Sequence, residues 1–446
     1  MRIYFTWLVL PVVLVSVPLF WLVLKRELWR LWFLIGLSLV LLCLLHPAFA
    51  VVAVGLVLLT HQLVEALRAK RLSGGRAVLL IVLGAVVTLA IGKYGQHMVG
   101  SLWGTDNWVW TRIAMPLGVS YFVFRLMQYV FDQVRGVLVE NSLVRLLAFI
   151  LFLPTFPAGP LETYQGFYGK RSTHFDRDLF YRGLRRIVLG YFKKVFVVDF
   201  VFFVYLRPQA TLPLGPGWHF SSARPFQAAL FCVYVFIRAY IDLSAYTDLA
   251  IGFSSLFGFR IMENFDNPLV KRNLSDFWRG WHISLSTWCR NNVYFPVFGA
   301  TRKVWLGLFA SMLVMGLWHY VDLNWLCWAL WHGSGLVMVS WWLGRKKAFR
   351  KRHRGEPFWS RTSWRHTLLS PLWYVVTFCY VALGYSFVGS PGIAKALQIF
   401  AAAVAGPFVW LAREGIAGIG VVLGVAAVVA LAAALTRAVR RRPQPA

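Results

Sequence analysis

The residues that could do chemistry in this chain are three histidines within one tryptophan-rich stretch, His282, His319 and His332. Histidine has an unperturbed pKa close to neutral pH, so its ring can accept or release a proton under physiological conditions. His319 follows an apolar run that starts at Val304, and we expect it at or near membrane depth, where an ionisable side chain is costly and therefore a functional candidate. The alternative for each histidine is a structural role with satisfied hydrogen bonds.

The segment Asp276–Arg290 around His282 is amphipathic if it forms one helix with about 100° between residues. One side of that helix would carry Phe277, Trp281, Leu285 and Trp288. The other side would carry Arg279, His282, Ser286 and Arg290. We therefore predict an interfacial helix whose polar side offers cations, a hydroxyl and an imidazole to water or to a ligand. The alternative is that this polar side is simply solvated.

The spacing of His319 and His332 predicts a break in the chain between them. The two residues are 13 positions apart, which on a continuous helix would turn them about 220° away from each other. Asp322 and Asn324 lie in between, and their short polar side chains compete with helical hydrogen bonds and favour turns. We expect the chain to turn there, so that both histidines can face one cavity. We expect His332 to be structural, with a hydrogen bond across the resulting hairpin.

The composition places these residues in an integral membrane protein, because 59% of the 446 residues are hydrophobic and 17% are aromatic. We predict an all-α polytopic protein with about eleven transmembrane helices, since apolar runs long enough to cross about 30 Å of hydrocarbon recur along the chain. Two runs, Leu143–Pro160 and Ile393–Ala412, contain Pro or Gly and are predicted to be re-entrant or partial spans. The predicted full spans lie within Phe5–Leu24, Leu31–Leu45, Ala48–Leu67, Val78–Ile91, Ile113–Val130, Ile187–Leu206, Ala228–Phe257, Val304–His319, Leu323–Leu343, Leu368–Val388 and Ile416–Leu435.

The formal net charge of +29 reflects 46 Lys and Arg against 17 Asp and Glu. These charges cluster between apolar runs, so anionic lipid headgroups and membrane topology explain most of them, and we do not expect nucleic acid as a partner. The positive-inside rule puts the N-terminus outside and the C-terminus in the cytoplasm. The predicted cytoplasmic loops contain Lys25–Arg30, Arg68–Arg76, Lys170–Arg186, Lys271–Lys303, Arg345–Arg365 and Arg437–Arg442. The five cysteines lack metal-binding spacing, so we expect neither a disulfide framework nor a zinc site.

Several charged residues lie inside apolar segments. Arg125 and Asp132 are expected to form a buried or interfacial charge pair, with a substrate contact as the alternative. Asp242 and Asp248 could be ion ligands in a transporter. They are six residues apart, about 240° round a helix, so they would not share a face. We favour a structural hydrogen-bonding role for both.

Four motifs, in order along the chain, carry a family resemblance. They are LPTFPAGPLETYQGF, DLSAYTDLAIGFSSLFGFRIMENFDNPL, DFWRGWHISLSTWCRNNVYFPV and GLWHYVDLNWLCWALWHG. Together they resemble the membrane-bound O-acyltransferases, and most closely the bacterial branch that serves alginate O-acetylation and teichoic acid D-alanylation. The resemblance covers roughly Ile113 to Leu343. It places the family's paired histidines on His282 and His319, which are 37 residues apart, while Tyr320 stands where the family usually has glycine.

The resemblance implies one integral membrane domain over residues 1–446, in the bacterial cytoplasmic (inner) membrane, with helices around a central tunnel. Residues 1–99 would be N-terminal spans, residues 113–343 the catalytic core, and residues 344–446 a basic cytoplasmic loop with C-terminal spans. The implied chemistry is transfer of an acyl group, acetyl or D-alanyl, from a cytosolic thioester to a hydroxyl reached from outside. The donor would be acyl-coenzyme A or a carrier protein's phosphopantetheine thioester, with no tightly bound cofactor and no metal. The acceptors would be an extracytoplasmic partner protein and a cell-envelope or secreted polysaccharide, and membrane lipids are further partners.

The resemblance also implies roles for individual residues. His319 would be the general base, because a hydroxyl is a weak nucleophile until a positioned group accepts its proton, and Asn324 or Asp322 would orient its ring. His282 would lie on the cytoplasmic side, where arginines hold donor phosphate and Ser286 or His282 itself lies near the thioester carbonyl. The residues expected to bind substrate are Arg279, Ser286, Trp288, Arg290, Asn291, Asn324 and Trp325.

Three other functions are compatible with the sequence. A secondary transporter or polymer-export channel is supported by Arg238, Asp242 and Asp248 and by broken helices, although these charges do not recur in an internal repeat. A non-catalytic scaffold for an envelope assembly would not need His319. Within the acyltransferases, the acceptor could instead be a lipid or a small alcohol.

Overall fold

The computed structural model describes residues 11–103, 118–156, 159–206, 227–353 and 364–414. Across these residues the regular elements are helices, as predicted. The chain divides into two compact units. The first consists of Met1–Lys194 with Leu243–Glu263, and the second of Val195–Asp242 with Asn264–Ala446.

The first unit is built from eight described helices and the C-terminal part of a ninth. The eight are α1 (Pro11–Val23), α2 (Glu27–Leu45), α3 (Pro47–Arg68), α4 (Gly74–Trp103), α5 (Val119–Val134), α6 (Leu143–Ile150), α7 (Tyr164–Gly169) and α8 (Arg177–Tyr191). Helix α9 (Gln227–Leu256) contributes its residues from Leu243 onward. A π-helical stretch, Phe192–Leu206, continues α8 without a break. Within the unit, α3 packs against α2, α5 and α6.

Short polar side chains begin three of these helices. Ser142, Thr163 and Asp176 precede α6, α7 and α8, and each accepts a hydrogen bond from a backbone N–H in the first turn. An N-cap of this kind satisfies a donor that the helix itself leaves unpaired. The Thr163 cap follows the proline-rich segment that the sequence predicts to be irregular. In the described part of that segment α6 ends at Ile150 and a single 3₁₀ turn, Leu153–Thr155, follows, so the predicted interruption is confirmed there.

Arg125 is the largest fully buried side chain of the first unit, with 2% of its surface exposed. It donates to the Phe149 carbonyl oxygen at 3.2 Å and to Thr155 Oγ1 at 3.0 Å. Asp132 instead accepts from the Gln128 amide at 2.6 Å. The predicted pair between Arg125 and Asp132 is therefore wrong, because each side chain is bonded to a different neighbour.

Asp248 belongs to a salt-bridge network in the first unit. Its carboxylate is almost fully buried and bonds to the guanidinium of Arg186 and, at 2.6 Å, to Lys193 Nζ. Arg186 also bonds to Glu263, and Lys193 donates to Ser244 Oγ at 2.8 Å. Two cations thus offset the cost of burying one carboxylate. The structural role predicted for Asp248 is confirmed.

The second unit contains the motifs with the three histidines. Its helices after α9 are α10 (Leu274–Gly280), α11 (Ile283–Cys289), α12 (Phe295–Thr301), α13 (Val304–His319), α14 (Leu323–Arg352), α15 (Trp364–Gly389) and α16 (Ile393–Glu414). Helices α13 and α14 form a hairpin, α14 packs on α15, and α15 packs on α16. The short helix α10 packs on α14 and α15, while α11 packs on α13. Helix α16 runs through Pro407 without interruption, so the predicted break in Ile393–Ala412 is absent there, while the partial span stays a prediction.

Five helices in the described residues are long and apolar enough to cross a membrane. They lie at Glu27–Leu44, Pro47–Arg68, Gly74–Gly92, Gln227–Leu256 and Pro371–Gly389. Three shorter apolar helices cover Pro11–Val23, Val304–His319 and Ile393–Val409. The predicted span Ile416–Leu435 and the start of Ile113–Val130 lie outside the described residues, and the total of about eleven spans stays a prediction.

The hairpin of α13 and α14 depends on Gly316. A Cβ atom at this position would lie 2.7 Å from the Trp325 carbonyl oxygen and 2.9 Å from Ala329 Cβ, so a side chain would force the helices apart. We expect Gly316→Ala to destabilise the protein by about 1–3 kcal/mol through overpacking, measured as a lower thermal unfolding midpoint in detergent. Gly299→Ala is the matched control, because no atom lies within 4 Å of its added Cβ and alanine favours the helix. Equal midpoints for the two variants would contradict this prediction.

Candidate active site

The segment around His282 is two short helices, and the prediction of one continuous helix is wrong. Helix α10 ends at Gly280 and α11 begins at Ile283. Between them Trp281 is extended, with φ −108° and ψ 127°, and His282 has φ 42° and ψ 55°. Few residues other than glycine adopt this left-handed conformation, although histidine is among the more tolerant types. The break turns His282 away from the polar side on which a continuous helix would place it.

Contacts with residues 264–266 hold this break. The Asn264 carbonyl oxygen accepts from Ile283 N at 2.9 Å, and its Oδ1 accepts from the N and Oγ of Ser284 at 3.1 and 2.9 Å. Asp266 N donates to the Gly280 carbonyl oxygen at 2.9 Å. A Cβ atom on Gly280 would lie 2.6 Å from the Asp266 carbonyl oxygen, so this close approach requires glycine. Tertiary hydrogen bonds therefore override the helical periodicity of the segment.

His282 is buried, with 4% of its surface exposed. Burial lowers the pKa of its imidazole to about 4, so the ring is neutral at pH 7. The Phe265 ring lies 6.5 Å from it between ring centroids. The other charged residues of the predicted polar side, Arg279 and Arg290, are exposed as expected. Arg279 lies 3.4 Å from Asp276 in a solvent-accessible ion pair.

The remaining residues predicted to contact the acyl donor follow His282 on the next helical turns. Ser286 Oγ donates to the Trp281 carbonyl oxygen at 2.9 Å, which commits its proton to the helix break. Trp288 is buried, whereas Arg290 and Asn291 are exposed at the start of a π-helical turn, Arg290–Tyr294. Substrate binding by these four residues stays a prediction.

His319 is the last residue of α13 and is exposed. Its ring stacks on the indole of Trp325, with 4.1 Å between centroids and 10° between planes. The rings of Trp318 and Trp328 lie 4.3 and 6.4 Å away. Three indoles thus surround the imidazole while leaving it open to a reactant. Trp325, which the sequence analysis expected to bind substrate, is the residue that orients the ring.

The predicted break after His319 is confirmed. Tyr320 is extended, with φ −162° and ψ 145°, a backbone conformation that any residue adopts, so tyrosine is accommodated where the resemblance leads us to expect glycine. Asp322 caps α14, because its Oδ1 accepts from Trp325 N at 2.8 Å. Asn324 is buried, and its amide donates to the Phe387 and Ser390 carbonyl oxygens at 3.1 and 3.0 Å.

Asp322 and Asn324 therefore stabilise the hairpin and its attachment to the end of α15. The His319 ring itself stacks on Trp325. Substrate binding by Asn324 and Trp325 stays a prediction.

His332 lies inside an aromatic cluster, with 1% of its surface exposed. Its ring centroid is 4.7 Å from that of Trp328, 5.3 Å from that of Trp278 and 6.3 Å from that of Tyr380. Neither ring nitrogen has a hydrogen-bond partner among the described residues, so the predicted hydrogen bond across the hairpin is wrong. Sequence reasoning also missed Trp278 and Trp328. The available signal was that Trp328 precedes His332 by four residues, a spacing that makes two side chains neighbours on one helix.

The burial of His282 predicts a pH dependence of stability. Its folded-state pKa of about 4 lies below the unfolded value near 6.5, so the unfolded chain binds more protons between these values and stability falls as the pH drops through this range. We expect a loss of about 2 kcal/mol between pH 7.5 and pH 5 from this residue. Thermal midpoints of the parent and of His282→Asn across that range measure it, and the variant should lose less stability on acidification. His353→Asn, at a half-buried histidine just after α14, should follow the parent. A parallel decline in all three proteins would contradict the assignment.

Comparisons with known proteins cover the same part of the chain as this candidate site. The family model described as MBOAT, membrane-bound O-acyltransferase family, matches residues 107–342, which include all three histidines. A probable alginate O-acetylase of Pseudomonas aeruginosa is 31% identical over 72% of this chain and 59% of its own length. A teichoic acid D-alanyltransferase of Bacillus subtilis is 29% identical over 62% of this chain and 69% of its own length. A peptidoglycan O-acetyltransferase of Helicobacter pylori is 26% identical over 65% and 56%, respectively.

The chain thus spans less than two thirds of the length of the alginate O-acetylase it matches. The family model covers more than half of the chain and contains the His282 break and the α13–α14 hairpin. The chain belongs to the membrane-bound O-acyltransferase family.

Proposed function

We propose that the protein is an O-acyltransferase that moves an acetyl or D-alanyl group from a cytosolic thioester to a hydroxyl on the outer side of the membrane. The donor is acyl-coenzyme A or a carrier protein's phosphopantetheine thioester. The observation that carries the proposal is His319, an exposed imidazole at the end of an apolar helix, held by a stacked indole within the region that matches the family. A fixed imidazole open to a reactant is the group that a hydroxyl needs in order to attack a thioester.

In this proposal His319 is the general base. The acceptor hydroxyl approaches the exposed edge of its ring, gives up its proton and attacks the acyl carbon. The Trp325 stack fixes the plane of the imidazole, and a fixed base avoids the entropic cost of orienting it during the reaction. Because both partners of the stack belong to one hairpin, their alignment is set by the packing of α13 on α14.

We assign His282 to the donor side of the same reaction. The neutral imidazole offers one N–H donor and one acceptor to the thioester arm. Arg279 and Arg290 are exposed on either side of it in the sequence and bind the donor's phosphates. Ser286 is less suited to the thioester carbonyl than its type suggests, because its hydroxyl donates to the Trp281 carbonyl oxygen.

The positive-inside rule orients this arrangement across a bacterial cytoplasmic membrane, with the N-terminus outside and the C-terminus in the cytoplasm. Arg302 and Lys303 then lie at the cytoplasmic side, and the sixteen residues of α13 rise about 24 Å from there to His319. An acceptor would reach His319 from outside. The similar proteins are named for acylating alginate, teichoic acid and peptidoglycan, which supports an envelope or secreted polysaccharide as the final acceptor, directly or through a partner protein.

The transporter alternative loses its main support in the structure. Asp248, one of its proposed ion ligands, is buried and bonded to Arg186 and Lys193. A transported cation would have to displace two fixed cations from this carboxylate, which makes it a poor coupling site.

We expect the purified protein in detergent to transfer an acyl group from acetyl-coenzyme A or from D-alanyl carrier protein to an added hydroxyl nucleophile. His319→Ala should lower this rate by about 100-fold or more, because general-base catalysis contributes about 10²–10⁴-fold. His282→Ala should lower the transfer rate as well, and it should change the KM for the donor more than His319→Ala does. Release of free thiol and formation of the acyl ester are the measurements.

His353→Ala is the matched control, since this histidine is half-buried at the C-terminal end of α14 and has no part in the mechanism. It should retain the parent rate. A folded His319→Ala protein with the parent rate would refute the proposed base. A parent that transfers acyl groups from neither donor would refute the proposed activity.

A further inference from the structure

Three aromatic side chains next to His319 carry buried ring nitrogens without hydrogen-bond partners. Trp278, Trp328 and His332 have 7%, 5% and 1% of their surfaces exposed. Among the described residues no partner lies within hydrogen-bond reach of either indole Nε1 or of either nitrogen of His332. A buried polar group without a hydrogen bond destabilises the folded protein. A cluster of four such atoms therefore needs an explanation from function.

The three rings form one contact group on two helices. The Trp278 centroid lies 5.8 Å from that of Trp328 and 5.3 Å from that of His332, and the last two are 4.7 Å apart. Trp278 belongs to α10, while Trp328 and His332 lie one turn apart on α14. All three rings contact one another, so their nitrogens belong to one cluster.

The chemistry of this cluster favours a ligand that accepts hydrogen bonds. Each indole has one N–H donor and no acceptor, and a neutral imidazole has one donor and one acceptor. The cluster thus holds three donors and one acceptor. Even if the imidazole accepted from one indole, two N–H groups would still need an outside acceptor. An oxygen with two lone pairs, such as a carbonyl oxygen, meets that need.

The protein closes the other sides of His332. A Cβ atom on Gly384 of α15 would lie 2.9 Å from His332 Nε2, so the backbone of α15 already packs against that nitrogen. The hydroxyl of Tyr380 donates to the Trp331 carbonyl oxygen at 2.5 Å, which uses its proton. The α15 groups that the structure describes therefore do not accept hydrogen bonds from the N–H groups of the cluster.

Trp328 connects the cluster to the base. Its centroid is 6.4 Å from that of His319, with 75° between the ring planes. A hydroxyl bonded to the base lies about 3 Å from it, and the acyl carbon about 3 Å beyond that hydroxyl. The acyl carbon therefore lies up to about 6 Å from the imidazole, and a donor about 3 Å from the carbonyl oxygen lies within about 9 Å of it. The Trp328 ring is inside that reach.

We propose that Trp328, Trp278 and His332 form the binding site for the carbonyl oxygen of the acyl thioester, with the Trp328 N–H as the principal oxyanion donor. This inference rests on the acyl transfer proposed above. The acceptor oxygen bonds to the acyl carbon while His319 takes its proton, and the carbonyl electron pair moves onto the oxygen that faces Trp328. When the intermediate collapses, the C–S bond breaks, and the thiolate leaves with the proton from His319. In a buried site such a preformed donor stabilises the oxyanion without reorganisation.

The test is Trp328→Phe in the full-length protein, which removes the N–H and keeps an aromatic ring. With whichever donor the parent uses, we expect kcat to fall by about 100-fold, as for loss of one oxyanion donor, while the KM for the donor changes by less than about threefold. The thermal midpoint should stay the same or rise, because a buried unsatisfied donor is lost. If Trp328 had only a structural role, Trp328→Phe would lower the thermal midpoint. It would then not lower kcat while leaving the KM for the donor nearly unchanged.

The matched control is Trp331→Phe, on the same helix. The Trp331 N–H donates to the Tyr380 carbonyl oxygen at 3.0 Å, so its loss should lower the thermal midpoint and leave kcat within about twofold. The two substitutions are chemically identical, and their effects on activity and stability should be opposite.

The possible results separate this inference from the proposed function. If His319→Ala is inactive while Trp328→Phe keeps kcat within about threefold of the parent, acyl transfer stands and the carbonyl site is refuted. A drop in kcat that occurs only together with a drop in midpoint would also refute it. If the parent transfers acyl groups from neither acetyl-coenzyme A nor D-alanyl carrier protein, the proposed function fails and this inference fails with it.

Discussion

The close approach of α13 and α14 is the constraint on which the candidate site depends. At Gly316 the helices are so near that a methyl group would collide with the Trp325 carbonyl oxygen. This contact lies one turn before His319. Trp325, whose carbonyl oxygen Gly316 approaches, is also the residue whose indole stacks on the His319 ring. Backbone packing therefore sets the distance and tilt between the imidazole and the indole.

The two paired histidines are held by different physical means. His282 lies in a left-handed conformation that the bonds from Asn264 to Ile283 and Ser284 stabilise, so its position depends on a loop that precedes it in the sequence. His319 depends on helix packing and on an aromatic face. One ring is buried and neutral, and the other is exposed. A buried, neutral ring suits the proposed contact of His282 with the thioester arm of a bound donor. An exposed ring suits the proposed contact of His319 with an acceptor from outside.

The sequence was informative where local chemistry decides the structure. Asp322 predicts the turn after His319, since a short carboxylate favours a helix start, and the four motifs identify the family. The break at His282 was not predictable from periodicity, because Phe277, Trp281, Leu285 and Trp288 are all buried in either arrangement. What breaks the helix is Asn264, eighteen residues earlier than His282.

The partners of Asn324 were also not predictable from local sequence. Its acceptors, Phe387 and Ser390, lie 63 and 66 residues further along the chain. The neighbours of His332 were missed because Trp278 reaches it from another helix. Contacts between residues so far apart along the chain leave no periodic pattern in the sequence.

The stack of His319 on Trp325 has a consequence for the charged state of the base. An indole face carries negative electrostatic potential, and a cation held over it is attracted by about 0.5–2 kcal/mol, depending on how dry the site is. When the imidazole takes the acceptor's proton, its positive charge develops directly above that face, 4.1 Å away between centroids. The aromatic surface would then act as a neutral counterpart to the imidazolium, in the role that a carboxylate fills in many hydrolytic enzymes. It would do so without introducing a buried negative charge beside an oxyanion that forms in the same step.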